Sequence, residues 1–110
     1  MKSYKEQFLG NLDAEITEFR EQSLKQSPKA IYDDANRICF YEFMDDYLRW
    51  ENFKTQEYRL FLQADTNFIY NLWRESLKWD DFNNGSVTDA SCLVDTYIRD
   101  CTANPVPHCM

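Results

Sequence analysis

Apolar residues recur along this chain at steps of three and four, the spacing that lines one face of an α-helix. In the first such run Tyr4, Phe8, Leu12, Ile16 and Phe19 share a stripe, with Leu9 beside it. Ser3 followed by Glu6 is a capping box that opens this helix. Ser27-Pro28 then supplies a cap and a first-turn proline for a second helix, so the first must stop near Gln26. A third region runs from about Thr55 to Trp79, with Tyr58, Phe61, Leu62, Ile69, Leu72, Trp73 and Ser76 in phase. It is interrupted at Asp65-Thr66 if either residue caps a fresh helix through Phe68. Asp80 to Ser86 is the clearest loop. The last helix, near Asp89 to Thr102, carries Ala90, Leu93, Val94, Tyr97, Ile98 and Cys101 on one face, and Asn104-Pro105-Val106-Pro107 ends it. The expected fold is all-α: a single compact, bundle-like domain of four to five helices over residues 1–103, with a short tail at 104–110.

The second helix, read as continuous from Ile31 to Trp50, is apolar on nearly every side. At about 100° per residue, Ile31, Ala35, Ile38 and Cys39 form the expected inward stripe. Glu42 falls about 20° and Asp46 about 60° from Ile31, so two carboxylates continue that stripe. The opposite side carries Phe40, Tyr41, Met44, Tyr47 and Leu48. Two readings stay open for it. Either neighbouring helices sandwich it, or Tyr41, Met44, Tyr47 and Leu48 form a docking face rimmed by Asp45 and Asp46, the aromatic and methionine composition that interfaces use. Asp45 with Arg49 is expected as an ordinary surface pair at the four-residue step.

Composition narrows the function. A length of 110 residues can bury a core without disulfides or metal. The two glycines and three prolines leave few breakers, which favours long helices. Nineteen acids against twelve bases give a formal charge of -7, shared between the two halves. Such a field disfavours direct nucleic-acid binding and favours a basic protein partner. Apolar runs reach only four residues, as at Ile38-Cys39-Phe40-Tyr41, so no membrane span and no signal-peptide core is expected, and the chain reads as cytoplasmic. Free thiols in a reducing compartment account for Cys39, Cys92, Cys101 and Cys109.

Most chemical readings fail on spacing. Aligning Gly85 with the glycine of a calcium loop puts Phe82 at the third position, where an oxygen ligand is required, and Ser91 at the twelfth, where a bidentate glutamate is. Cys92 and Cys101, nine residues apart, lie on opposite sides of a helix, so a zinc site with His108 and Cys109 is not expected. His108 is the one histidine, and no serine or cysteine has the context of an activated nucleophile. No cofactor is implied. A carboxylate enzyme using Glu42, Asp46 and Asp65 is the catalytic alternative, with a helix cap the preferred role for Asp65.

The segment Ser27-Pro28-Lys29-Ala30-Ile31-Tyr32-Asp33-Asp34-Ala35-Asn36-Arg37-Ile38, with the helix around Phe8 to Leu24 before it, resembles small uncharacterised proteins of phages and conjugative elements of Gram-positive bacteria. That resemblance implies accessory factors and inhibitors of host defence nucleases, some of them acidic occupants of a nucleic-acid channel. The expected function is therefore a non-catalytic acidic binding module that docks on a basic protein surface, as an anti-defence inhibitor or nucleic-acid mimic. Asp33, Asp34, Asp45, Asp46, Asp80 and Asp81 would supply its acids. The alternative is a helical subunit that self-associates as a homodimer through its aromatic face.

Overall fold

A computed structural model describes residues 3–64, 67–79 and 81–103, with side chains to Cys101; Asp65, Thr66, Asp80 and the tail at 104–110 lie outside the described residues. Ser3 opens α1 (Tyr4–Leu24) by the expected capping box, its hydroxyl accepting from the Glu6 N–H at 3.1 Å. Ser27 likewise caps α2 (Pro28–Asp33), accepting from Ala30 N–H at 3.2 Å with proline at the first position. Four helices follow: α3 (Ala35–Trp50), α4 (Thr55–Ala64), α5 (Phe68–Ser76) and α6 (Val87–Ala103). Gly85, at φ 100°, takes the left-handed turn that glycine favours before α6. Ser86 then accepts from the Asp89 N–H, starting α6 two residues before the expected Asp89.

The described residues thus form six helices and no strands, and none of these helices is long and apolar enough to cross a membrane. α4 ends at Ala64 and α5 starts at Phe68, so the third region is two helices, an outcome the sequence leaves open; Asn67 holds the cap position of α5, and the cap expected at Asp65 or Thr66 lies outside the described residues. A second break was not expected. At Asp34 (φ -98°, ψ 11°) the chain leaves α2, and the Asp34 carbonyl at once accepts from Ile38 N–H to begin α3.

This break corrects the phase of the central helix. Ala35 and Cys39 are exposed and Ile31 and Ile38 half-buried, whereas Phe40, Tyr41, Met44, Tyr47 and Leu48 are buried. With Ile31 on a separate helix, nothing holds Ala35 and Cys39 inward, and α3 turns its larger aromatic side to the core. Burying those rings removes far more apolar area from water than burying Ala35 and Cys39 would. Glu42 and Asp46 consequently sit on the outward side, and their place in an apolar stripe needs no further cause. The docking face is corrected by the same fact. Of Tyr41, Met44, Asp45, Asp46, Tyr47 and Leu48, only Asp46 is exposed, so Tyr41, Met44 and Leu48 offer no apolar face to a partner or a second copy, and Tyr47 keeps only a small exposed part.

The remaining stripes face inward, except that Tyr4, at the start of α1, is exposed. Phe8, Leu12 and Ile16 of α1 meet Tyr58 and Phe61 of α4, Phe68, Ile69 and Leu72 of α5, and Ala90, Leu93, Val94 and Tyr97 of α6 in one core. Rings interlock at its centre. Phe8 lies 5.1 Å from Phe61 and 5.2 Å from Phe68, and Phe68 meets Tyr97 edge-on at 5.4 Å. Tilted and edge-on rings at these separations add stabilisation beyond their buried area.

One buried carboxylate crosses this core. Glu15 of α1, only 9% exposed, accepts from the N–H groups of Ile69 at 2.9 Å and Tyr70 at 2.8 Å, in the first turn of α5. Asn67, at the cap position of α5, makes no side-chain cap bond, so Glu15 provides the cap from another helix. Truncating Glu15 to alanine strands two N–H donors and is expected to cost about 2–4 kcal/mol. Glu15→Gln, which keeps one acceptor oxygen, should cost less, and exposed Glu21→Ala should stay within about 0.5 kcal/mol. Urea unfolding of the three variants checks this; equal midpoints for Glu15→Ala and Glu21→Ala would remove the cap from the account.

Candidate functional site

The carboxylates named from the sequence do not converge. Glu42 takes Arg20 of α1 in a two-point grip, Nε to Oε2 at 2.9 Å and Nη2 to Oε1 at 2.6 Å. That hydrogen-bonded guanidinium lowers the Glu42 pKa against a smaller opposing effect of burial. Asp46 is exposed one turn further on, and Asp65 lies outside the described residues. Asp45 is not the surface residue expected of it. Its carboxylate is buried, and burial raises its pKa against the opposing pull of Arg49, whose Nε donates to it at 3.0 Å. The other arm of Arg49 reaches Asp13 on α1, so the pair ties α3 to α1. The adjacent acidic pairs also divide: Asp33 is exposed and Asp34 half-buried, Asp81 is exposed and Asp80 lies outside the described residues.

Carboxylates distant in sequence do gather elsewhere. A groove of about 470 Å³ runs between the end of α3, the start of α4 and the first turns of α6. Glu51, Glu57 and Asp95 line it together with Tyr47, Phe53 and Ser91, and no lysine or arginine is among its described lining residues. Each acid has a local reason to be there. Glu51 caps the C-terminus of α3 in extended conformation, and its carbonyl accepts from the Tyr58 hydroxyl at 3.4 Å. Glu57 reaches back to accept from the Lys54 N–H at 2.9 Å, the reciprocal bond of a helix start. Asp95 stands on the outward side of α6, one turn beyond exposed Cys92.

Tyr47 forms the floor. Its ring meets Phe53 edge-on at 6.1 Å, and it is hydrogen-bonded to Ser91. Burial raises its hydroxyl pKa, the Ser91 bond opposes this, and the charges of Glu51, Asp95 and Glu57 raise it further. One phenol thus senses three carboxylates. Tyr47 is the one residue of the sequence-derived docking set that lines this groove. No set of three or more His, Cys, Asp or Glu among the described residues is grouped tightly enough to share a metal ion. Three carboxylates beside aromatic walls can instead hold an ammonium or guanidinium group, by charge and by the ring faces.

Sequence reasoning missed Glu51, Glu57 and Asp95 because they come from three elements whose packing no local pattern specifies. Glu15 did leave a signal: it falls between Leu12 and Ile16 on the inward side of α1. No protein-family model, curated protein or solved structure matches this chain.

The Glu42 and Arg20 pair gives a pH test. Because the native pKa of Glu42 is lowered, its stabilising effect is present above the ordinary value of 4.5 and is lost as pH falls through the native value. Both side chains are half exposed, so the pair is expected to contribute about 0.2–1 kcal/mol. Urea unfolding of Glu42→Gln should show that deficit at neutral pH and low salt, shrinking in acid and in high salt. A deficit unchanged by both would mean that Glu42 acts through packing rather than charge.

Proposed function

We propose that this chain is a non-catalytic acidic binding module whose groove between α3, α4 and α6 takes up a lysine- or arginine-bearing segment of a protein partner. The observation that carries this reading is the convergence of Glu51, Glu57 and Asp95 on a groove floored by Tyr47 and Phe53, with no basic residue among its described lining residues. An isolated exposed ion pair contributes only about 0–1 kcal/mol. Three carboxylates lining one groove, with a ring contact of about 0.5–1 kcal/mol added, offer a basic segment more than an isolated surface pair would. The net charge of -7 supports the same reading at longer range, by steering a basic partner toward the chain. The resemblance to phage and conjugative-element proteins gives the reading its biological form, an inhibitor that docks on the basic surface of a nucleic-acid-handling enzyme.

The test is capture from host-cell extract at low salt, followed by direct titration of the purified captured protein. Affinity is expected to fall steeply between about 0.05 and 0.5 M salt. The double variant Glu51→Lys/Asp95→Lys should bind at least about ten-fold more weakly, and Asp46→Lys on the outward side of α3 should bind as the wild type does. Salt-insensitive binding, or equal affinity of the double variant, would overturn the reading.

A further inference from the structure

A second site lies at the opposite end of α3, around an arginine that pairs with no carboxylate among the described residues. Arg37 sits in the first turn of α3, where the helix dipole does not favour a cation. No ion pair joins it to any described residue, and its Nε is buried with no hydrogen-bond partner. Among the described residues it makes one long hydrogen bond, Nη2 to the Tyr41 hydroxyl at 3.4 Å. Three rings hold the guanidinium instead: Phe19 at 5.6 Å, Tyr41 at 5.3 Å and Tyr70 at 5.7 Å from its central carbon. Phe19 and Tyr41 are themselves stacked, 3.8 Å apart and 10° from parallel. The enclosure fixes the charge in place while leaving hydrogen-bonding capacity unused. A buried donor without an acceptor costs about 1–3 kcal/mol, and such groups in native proteins call for a reason.

Arg37 lines a pocket of about 310 Å³, a size that suits a small molecule. Three acids line it as well, Glu15, Glu18 and Asp34. Glu15 is committed, since both its oxygens accept from the start of α5. Glu18, which is exposed, and Asp34, which is half-buried, leave a negative side facing the same space as the guanidinium. A simple anion would be drawn by Arg37 and repelled by these acids; a simple cation would meet the reverse. A molecule carrying both charges a few atoms apart satisfies both.

We infer that this pocket binds a zwitterion the size of a free amino acid, its carboxylate on Arg37 and its ammonium toward Glu18 and Asp34. Tyr70, exposed on one wall, is the surface against which the ligand's side chain packs. This site is separate from the groove of the proposed function and stands without it.

The test is NMR titration of the full chain with each proteinogenic L-amino acid at millimolar concentration, following the Arg37 Nε–H and Tyr70 N–H signals. At least one amino acid is expected to shift both saturably. Acetate and methylamine, each carrying one of the two charges, should bind at least about ten-fold more weakly than that amino acid. Arg37→Lys, which keeps the charge and loses the planar fork, and exposed Glu18→Gln should each weaken binding by about ten-fold. Thermal melts confirm that the variants fold, and Glu18→Gln decides the matter if Arg37→Lys does not. No saturable shift with any amino acid, acetate binding as tightly as the best amino acid, or undiminished affinity of Glu18→Gln would overturn the inference.

Discussion

The carboxylate of Glu15, buried against the first turn of α5, is the interaction on which the arrangement of this protein turns. α5 is a nine-residue helix with no side-chain cap of its own, and helices that short have little stability in isolation. Its start is supplied by α1, more than fifty residues earlier in the chain. Once Glu15 holds Ile69 and Tyr70, Phe68 is delivered to Phe8 and Phe61, and Leu72 to the side of α5 that packs on α3 and α6. The cap therefore does more than satisfy two N–H groups. It sets the register of α5 against α1, the longest helix, and it brings Tyr70 beside Arg37.

A second constraint is the break at Asp34. A continuous helix through this residue would have kept Ile31 in phase with Cys39 and forced a choice between two apolar sides. Ending α2 at Asp33 frees α3 to rotate as a separate rod. Phe40, Tyr41, Met44, Tyr47 and Leu48 then enter the core, and Glu42 and Asp46 fall on the outside. The same rotation buries Asp45 against Arg49, whose other arm reaches Asp13 and ties α3 to α1.

The acidic residues consequently do different work according to where packing leaves them. Glu15 is consumed by the backbone of α5, Asp45 and Glu42 by arginines, and Glu57 divides its role between the start of α4 and the groove. Glu51, Glu57 and Asp95 line one groove beside Tyr47, while Arg37, set among rings, shares its pocket with Glu18 and Asp34. A net charge of -7 says nothing of this division.

Helical class, the capping box at Ser3, the Ser27-Pro28 cap, and most inward residues of α1, α4, α5 and α6 were readable from the chain alone, because caps and three-to-four periodicity are local properties. Phe8, Leu12, Tyr58, Phe61, Leu72 and Leu93 all fall where their spacing put them. α3 was not readable, since apolar residues on every side make its rotation depend on which neighbours enclose it. Its aromatic side looked like an interface for the same reason that it became core: both environments reward removal of rings from water. The groove and the Arg37 pocket were beyond reach of any local pattern. Residues 47, 51, 57 and 95, or 18, 34, 37 and 70, become neighbours only when separate helices pack, and the energy that brings them together resides in Phe8, Phe68 and Glu15 rather than in the site residues themselves.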